Sequence, residues 1–426
     1  MSFDNLIIGN SAAAVGAVEA IRRSRNDDTI GIISEDDGPP YSKPFIGELV
    51  SGKSAGEDIW YRPKSFYREN SVELIAGSKA TSLDLSSRRV LLENGDSYGF
   101  AKLLIATGGR PIVPPIPGLA SCCQTFTTLK DATEIKETIE HDSPSSAVVL
   151  GGGLIGVSAA ESFLERGLHT TIIELAPRLM SSALDEDSSE LIEKMFKRKG
   201  AEIITGHTIS RCESDIGDIA LTLDDERKLR CELLIVAIGV RPRTELADET
   251  EILVDRGILV NRSMETSVEG VYAAGDCAQI YDFISQENRV LAMWPTAYVG
   301  GMTAGYNMAG ITVESEWATS MNSTHFFGTP LLSAGVAQAG EGPEWDQHSV
   351  FDDGHYAKVI TRRGEIAGFI LLGDVGNAGI LLQLMRRRIP LDKLGKSPID
   401  GQFGLAHLPP RVRGRLWKEG DRIVGP

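Results

Sequence analysis

Cysteine is scarce in this sequence, and the few cysteines show no pairing pattern. The 426 residues include five, and no two of them form a C-x-x-C motif. An odd number with irregular spacing gives no readable disulfide framework and no metal site. We therefore expect no metal ion, and a chain that works in the reducing cytoplasm. The five are Cys122, Cys123, Cys212, Cys231 and Cys277.

An excess of positive charge and long apolar segments are also missing. Lysine and arginine number 43 against 59 acidic residues, a net charge of −16, which argues against binding to nucleic acid or to an anionic membrane. No run approaches the roughly 18 apolar residues that a membrane helix needs, and the first residues lack the regions of a secretory signal. Basic residues do cluster at Arg386–Arg388. This cluster is either a solvated helix face or a docking surface for an acidic partner.

The N-terminal segment has the strand–glycine–helix–strand–acid order of a dinucleotide-binding βαβ unit. An apolar strand leads into Gly9, and a second strand at 29–33 precedes Glu35. The three glycine positions of the G-x-G-x-x-G fingerprint are filled by Gly9, Ser11 and Ala14. Ser11 adds a hydroxymethyl group where the backbone should meet phosphate, so this loop alone leaves the nucleotide site undecided.

A second unit of the same kind lies a third of the way along the chain. The sequence LGGGLIG opens a helix, and the strand after that helix ends in Glu174. Gly151, Gly153 and Gly156 match the complete fingerprint, and the helix N-terminus suits a pyrophosphate. Glu174 stands about twenty residues further on, where a carboxylate binds the ribose 2′-hydroxyl and repels the extra phosphate of NADP. NADH is therefore the predicted ligand, although nearby Arg178 weakens that preference.

A carboxylate at the end of a later strand indicates which nucleotide the first unit binds. In EGVYAAGDCAQ an apolar strand runs into Gly275 and Asp276. An aspartate there accepts hydrogen bonds from a polyol, and FAD has such a polyol in its ribityl chain whereas NAD does not. The alternative is an aspartate that caps the next helix. Two nucleotide loops in one chain favour FAD in the first unit and NAD(H) in the second.

Two similar segments rich in proline and glycine, residues 103–118 and 233–246, bracket the second unit. Such segments are typical of crossings between domains. We therefore expect an α/β protein in which the second unit is inserted into the first, followed by a C-terminal α/β interface domain. The predicted bounds are 1–113 with 241–320 for the FAD domain, 114–240 for the NAD domain and 321–426 for the C-terminal domain.

The motifs occur in a characteristic order: GNSAAA, ATGGRP, GGGLIG with Glu174, AIGVRP and YAAGDCA. In this order they resemble the pyridine nucleotide–disulfide oxidoreductase family over residues 1–320. PPYSKPFIGEL at 39–49 is similar to the branch that contains rubredoxin reductases and nitrite-reductase-like NADH flavoproteins. The resemblance implies two Rossmann-like domains of the glutathione reductase type, one for FAD and one for NAD(H), and a C-terminal α/β domain.

The resemblance also implies site residues, position by position. Hydride transfer needs orientation rather than an acid or base, so no catalytic side chain is expected. The candidates beside the reacting atoms are Lys43, Glu48 and Ser158. For FAD the implied residues are Gly9, Ser11, Ala12, Ala13, Glu35, Lys43, Pro44, Ala80, Ala106, Thr107, Gly108, Asp276, Pro295, Thr296 and Ala297. For NAD(H) they are Gly151, Gly153, Leu154, Ile155, Glu174 and Gly239.

The chain departs from the family pattern at two places. Some relatives carry C-x4-C beside the flavin, but here the first cysteine is Cys122, so electrons are not expected to pass through a thiol relay. Many relatives also pair a glutamate with a lysine near flavin N5. Ser158 stands at the glutamate position, and Glu48 stands approximately at the lysine position. Because both members of the pair are replaced, neither charged residue is left without its partner. How the nicotinamide is positioned stays open.

Without a thiol relay, the flavin must exchange electrons directly with a second partner. We expect hydride transfer between NAD(H) and FAD, and single-electron transfer between FAD and an iron–sulfur protein or subunit, because the chain lacks cysteines for its own cluster. GNSAAAVGAVEAIR resembles FAD subunits of multi-subunit iron–sulfur enzymes, such as phenylglyoxylate dehydrogenases and tungsten aldehyde oxidoreductases. An oligomer or hetero-complex therefore stays open. The alternatives are an NADH oxidase and a non-catalytic, redox-sensing flavoprotein.

Overall fold

The chain begins with a βαβ unit and continues with further strands. A computed structural model describes residues 1–25, 27–215, 217–352, 354–394, 396–400 and 403–418. A 3₁₀ turn at Lys43–Phe45 precedes the second helix. In chain order the first elements are β1 (Ser2–Ile8), α1 (Ala12–Ser24), β2 (Ile30–Ile33), α2 (Ile46–Ser51), α3 (Phe66–Glu69), β3 (Val72–Ile75), β4 (Ala80–Asp84), β5 (Arg89–Leu92), β6 (Ser97–Ile105) and β7 (Gly109–Pro111).

The second βαβ unit follows, and three antiparallel strands are attached to it. Its elements are α4 (Leu119–Cys122), β8 (Gln124–Thr125), α5 (Leu129–Asp142), β9 (Ser146–Leu150), α6 (Leu154–Glu165), β10 (His169–Glu174), α7 (Glu186–Arg198), β11 (Glu202–Thr205), β12 (Ile209–Asp215), β13 (Asp218–Leu223), β14 (Lys228–Cys231), β15 (Leu233–Val236) and β16 (Val240–Pro242). We call the part from α4 to β15 the insertion.

The chain then returns to the first unit and ends in a separate antiparallel sheet. The returning elements are α8 (Glu245–Asp248), β17 (Ile258–Leu259), β18 (Val271–Ala273), β19 (Ala278–Asp282), β20 (Glu287–Val290) and α9 (Trp294–Met308). The C-terminal elements are β21 (Met321–Phe326), β22 (Thr329–Gly335), β23 (Trp345–Asp352), β24 (His355–Arg362), β25 (Glu365–Leu372), α10 (Ala378–Arg386) and α11 (Pro410–Lys418), with 3₁₀ turns at Leu391–Lys393 and Leu405–His407.

Strand pairing shows how the parts are joined. The first sheet has the order β3-β2-β1-β6-β5-β4, and β18 pairs in parallel with β6. Because β18 comes after the second unit in the chain, that unit lies within the first. The insertion has its own parallel sheet, β11-β10-β9-β15-β8, and the ribbon of β7 and β16 joins the two crossings. The predicted fold class is confirmed, while the exact domain bounds stay predictions.

The parallel strands explain their own composition. Both β2 (IGII) and β15 (LLIV) are buried at every residue. Parallel sheets have helices on both faces, so their strands read as continuous apolar runs rather than as an alternation. The run of β2 belongs to the pattern from which the sequence predicted the first unit, whereas the run of β15 lies in the predicted second crossing.

Helices α1 and α9 pack closer together than ordinary side chains allow. An ideal Cβ on Gly301 would lie 2.0 Å from the carbonyl oxygen of Ala13, and one on Gly16 would lie 2.3 Å from that of Tyr298. Real Cβ atoms do not come so near to backbone, so glycine is required on both helices. This contact fixes the start of α9 beside the start of α1.

The C-terminal sheet, β21-β22-β25-β24-β23, shares an apolar core with the insertion. The ring of Phe326 packs against that of Phe196 on α7, with centroids 5.6 Å apart. The same core takes in Leu49 and Val50 from α2, although α2 belongs by sequence to the first unit. The insertion, α2 and the C-terminal sheet are therefore continuous in packing.

A buried ion pair adds to this contact. Lys358 on β24 is 7% exposed, and its Nζ lies 2.8 Å from the Oδ2 of Asp185, which is 4% exposed. Tyr356 donates a hydrogen bond of 2.5 Å to the same oxygen. Burial opposes the charged form of Asp185, but the hydrogen bonds from Lys358, Ser188 and Tyr356 hold the pKa of that carboxyl below its ordinary value.

The basic cluster after α10 is partly engaged by the fold. Nη2 of Arg388 donates to the carbonyl oxygen of Phe283 at 3.2 Å, and burial lowers the pKa of Arg386. Residues 419–426, the end of the predicted C-terminal domain, lie outside the described residues. Among the helices that the structure describes, none has both the length and the apolar character of a membrane span.

We predict that Gly301→Ala destabilises the protein and Gly300→Ala does not. A Cβ at Gly301 collides with the backbone of α1, whereas one at Gly300 meets only the side chains of Ala274 and Met264, at 3.5 and 3.6 Å. The clash should lower the free energy of unfolding by about 1–3 kcal/mol, measured by urea denaturation. Gly300→Ala should be neutral or slightly stabilising, because alanine favours helix. Equal effects of the two substitutions would contradict the packing described here.

Candidate functional site

The carboxyl ends of β1, β6 and β18 meet the N-termini of α1 and α9 at one edge of the first sheet. An ideal Cβ on Gly275 would lie 3.6 Å from the Cβ of Ala13 and 3.7 Å from that of Ala297. Gly9 has φ +112°, and its ideal Cβ would lie 2.1 Å from the carbonyl oxygen of Ala106. The structure thus brings together predicted FAD residues from four separate segments.

The helices at the two predicted nucleotide loops, α1 and α6, begin without a side-chain cap, and so does α9. The N-cap residues of α1, α6 and α9 are Ser11, Gly153 and Met293, and none makes a cap hydrogen bond through its side chain. Helices α5 and α7 are capped by Thr128 and Asp185, whereas α2 and α10 also lack a side-chain cap. Free N–H groups at the positive end of a helix suit a phosphate or another anionic group.

The loop before α6 has the shape that a pyrophosphate needs. Gly151 has φ +117°, and its ideal Cβ would lie 2.4 Å from the carbonyl oxygen of Ala237, whereas a Cβ on Gly153 would meet nothing within 4 Å. Gly156 lets the helix approach the loop, because a Cβ there would lie 1.9 Å from the Gly151 oxygen. Gly151 and Gly156 thus allow the backbone to turn tightly and pack closely, and Gly153 leaves open space for a phosphate, as the fingerprint glycines do.

Glu174, at the end of β10, is held in place by backbone groups. Its Oε2 accepts a hydrogen bond of 2.5 Å from the N–H of Gly152, and its Oε1 accepts one of 2.7 Å from Ala176. The carboxylate is therefore fixed against the glycine loop, beside the start of α6 at Leu154 and Ile155. Gly239, the remaining predicted NAD residue, follows β15 with φ +125°.

Asp276 has the environment expected of a ligand-binding carboxylate. It is half-buried, and its Cβ lies 3.5 Å from an ideal Cβ on Gly109. Burial raises the pKa of the carboxyl, and among the described residues only the ammonium of Lys43 opposes that effect. A carboxylate that is partly removed from water is costly unless hydroxyl or amide donors reach it, and the ribityl hydroxyls of FAD fit this need.

The predicted adenosine end of the first unit is crossed by an ion pair. Oε2 of Glu35 lies 2.6 Å from Nη1 of Arg243, and its Oε1 lies 3.8 Å from Nζ of Lys79. Thr107 donates its hydroxyl to the Arg243 carbonyl oxygen at 2.8 Å. Ala80, predicted beside the adenine, is buried at the start of β4. Sequence reasoning missed Arg243, whose only signal was its place in the second crossing.

Gly108 and the two prolines of the predicted FAD set border open space. Gly108 has φ +73°, and a Cβ there would meet nothing within 4 Å. Pro44 and Pro295 are both exposed, at the 3₁₀ turn and at the start of α9, where Thr296 follows.

Glu48 and Ser158 lie on two helices that pack together, α2 and α6. The hydroxyl of Ser162 donates to the carbonyl oxygens of Gly47 and Ser158, at 3.0 Å each. The carboxylate of Glu48 accepts a hydrogen bond of 2.6 Å from the hydroxyl of Ser54. The contacts in this region are therefore hydrogen bonds from the hydroxyls of Ser54 and Ser162, whereas many relatives have a lysine–glutamate pair here.

The five cysteines are not arranged for electron relay. Cys212 and Cys231 are buried in a core of the insertion, and Cys122 and Cys123 pack against that core. Cys277 follows Asp276 but is fully buried, and its Sγ donates to the Ile105 carbonyl oxygen at 3.4 Å. Burial raises the pKa of the Cys277 thiol, and a buried neutral thiol is inert.

Comparison with known proteins gives matches along almost the whole chain. Residues 3–301 match the family described as pyridine nucleotide-disulphide oxidoreductase, and residues 321–389 match the rubredoxin NAD⁺ reductase C-terminal domain. The NADH-dependent phenylglyoxylate dehydrogenase subunit epsilon of Aromatoleum evansii is 34% identical over 393 residues, covering 91% of this chain and 93% of that protein. The rubredoxin-NAD(+) reductase of Alcanivorax borkumensis is 27% identical over 375 residues, covering 87% of this chain and 94% of that protein.

A solved structure gives the same result for the fold. The water-forming NADH oxidase from Lactobacillus brevis, bound to NADH, matches with a TM-score of 0.86 at 20% identity, covering 99% of each chain. The expected resemblance, the FAD and NAD(H) cofactors and the oxidoreductase class are confirmed, while the individual site residues stay predictions. With its two nucleotide loops and these matches, the chain belongs to the pyridine nucleotide-disulphide oxidoreductase family.

Proposed function

We propose that this protein transfers hydride between NAD(H) and FAD, and passes single electrons between FAD and a separate iron–sulfur protein or subunit. The position of the thiols carries the proposal. All five cysteines are free, and the segment around Lys43 has none. Electrons therefore have no route through a disulfide of this chain, and the flavin must exchange them directly with the partner.

The first unit provides binding and electrostatics rather than acid–base chemistry. FAD supplies the hydride acceptor and exchanges electrons singly when it is bound. In this proposal Asp276 accepts hydrogen bonds from the ribityl hydroxyls, and the uncapped start of α1 binds the pyrophosphate. The start of α9, at Pro295–Ala297, directs a positive helix end at the ring, which favours negative charge there.

The insertion holds the nicotinamide nucleotide. Glu174 is already fixed by two backbone N–H groups, so its remaining acceptor positions are oriented for a ribose diol. The same charge disfavours the 2′-phosphate of NADPH. The start of α6, from Gly153 to Ile155, offers free N–H groups to the pyrophosphate.

The names of relatives support a separate redox partner. One is a subunit of an NADH-dependent phenylglyoxylate dehydrogenase, and another is a rubredoxin-NAD(+) reductase. The C-terminal sheet matches a domain found in rubredoxin reductase. We therefore propose a hetero-complex or a transient complex with an iron–sulfur protein. We place it in the cytoplasm, where five free thiols are stable.

The test is rapid mixing of the FAD-loaded protein with NADH. The flavin absorbance should bleach, and ferricyanide or rubredoxin should then restore it at rates on the order of 1–1000 per second. Dioxygen should restore it more slowly. Bleaching that fails altogether would support a redox-sensing flavoprotein, and reoxidation by dioxygen that matches the one-electron acceptors would support an oxidase.

We predict opposite effects of Asp276→Asn on stability and on FAD binding. The fold raises the pKa of this carboxyl above its ordinary value of 3.8, so stability is lost progressively as the pH rises from 3.8 through the raised pKa, and the whole cost of the charged form applies above it. Asp276→Asn should therefore stabilise the apoprotein at neutral pH and have no effect below about pH 3.8, where both states are neutral. FAD affinity should fall about tenfold at neutral pH, because a charged acceptor is lost.

Urea denaturation across pH and FAD titration measure the two effects of Asp276→Asn. Asp248→Asn is the matched control, because Asp248 is exposed on α8. If Asp276→Asn binds FAD as tightly as the parent does, Asp276 does not contribute to FAD binding and the prediction is wrong.

We predict that Glu174→Ala weakens NADH binding and lowers the preference for NADH over NADPH. The carboxylate provides both the ribose contact and the repulsion of the 2′-phosphate, so the Kd for NADH should rise about tenfold. The ratio of kcat/KM values for the two nucleotides measures the preference. Glu190→Ala, at an exposed position of α7, should leave that ratio unchanged. An unchanged ratio in Glu174→Ala would place the selectivity elsewhere.

A further inference from the structure

Arg243 is tied by its backbone to predicted FAD residues. Its N–H donates to the carbonyl oxygen of Gly108 at 2.9 Å, and its carbonyl oxygen accepts the Thr107 hydroxyl at 2.8 Å. It follows β16, which pairs with β7 in the ribbon that joins the two crossings. The second crossing is thereby held against the end of β6, at the edge of the first sheet.

The side chain of Arg243 extends from that crossing to the end of β2. Its Nη1 lies 2.6 Å from Oε2 of Glu35, and the two side chains are 35% and 42% exposed. An ion pair this exposed adds little stability by itself, about 0–1 kcal/mol. What distinguishes it is its position, because the guanidinium is held across the predicted adenosine end of the first unit.

The glycine loop itself contains no cation. GNSAAA offers backbone N–H groups and the start of α1, but neither lysine nor arginine. Lys43 acts on Asp36 and Asp276, and Arg243 also acts on Asp36. A pyrophosphate carries negative charge at every pH of interest, and the planar fork of an arginine matches phosphate geometry.

We propose that Arg243 binds the adenosine diphosphate half of FAD, and that Glu35 holds its guanidinium over that half. The inference rests on FAD occupying the first unit. It adds a direct cofactor contact from the second crossing, which leads out of the insertion. Departure of that crossing from the end of β6 would weaken FAD binding.

The test compares FAD binding to apoprotein of four forms: the parent, Arg243→Ala, Arg243→Lys and Arg241→Ala. Arg241 is the matched control, because it is exposed, lies in the same ribbon and carries the same charge. Flavin fluorescence should give a Kd raised about 10- to 100-fold in Arg243→Ala. Arg243→Lys should fall between, because it keeps the charge but loses the fork. Arg241→Ala should stay within about twofold.

Competition with ADP and with adenosine separates a phosphate contact from a structural role. The measured quantity is the concentration of ADP that displaces half of the FAD, divided by the corresponding concentration of adenosine. This ratio should be higher for Arg243→Ala than for the parent. A Kd for FAD within about twofold of the parent would overturn the proposal, and so would equal losses for ADP and adenosine. Arg243→Lys keeps the test open where Arg243→Ala fails to fold. Bleaching of the parent by NADH tests the proposed function separately, since Arg243 binding ADP does not depend on hydride transfer.

Discussion

Contact between the backbones of α1 and α9 sets the geometry of the flavin side. A helix ordinarily keeps its neighbour 8–10 Å away through its side chains. Here glycines on both helices remove that spacing, so that Gly301 meets the carbonyl of Ala13 and Gly16 that of Tyr298. Two positive helix ends consequently face the same edge of one sheet. The ends of β1, β6 and β18 can then present Gly9, Ala106 and Gly275 to a single ligand.

The charged residues at this edge of the first sheet suit a bound ligand better than they suit the apoprotein. Asp276 is a half-buried carboxylate whose charged form is disfavoured by burial, and Lys43 opposes that effect only in part. Glu35 and Arg243 form an ion pair at the end of β2. A carboxylate without hydrogen-bond donors lowers the stability of the apoprotein. A ligand that supplies those donors raises the stability of the complex. Part of the binding free energy of the dinucleotide therefore comes from satisfying groups that lack partners in the apoprotein.

The sequence was sufficient for those features that depend on local order. LGGGLIG, its following helix and Glu174 predict the second nucleotide loop, and the return to Asp276 predicts the interrupted first unit. Motif spacing cannot predict which surfaces meet across the chain. The packing of Leu49 and Val50 into the core of the insertion has no periodic signal, because α2 is only six residues long. Arg243 stood unassigned for the same reason, since its partner Glu35 is 208 residues away.

The core shared by the insertion and the C-terminal sheet has a consequence for the history of the chain. Units that are separate in topology are often exchanged by recombination between genes. Here a foreign C-terminal sheet would have to supply a cation for Asp185 and an aromatic ring for Phe196, as Lys358 and Phe326 do now. The inserted unit and the terminal sheet are therefore expected to be inherited together, and the smallest exchangeable piece is larger than either domain.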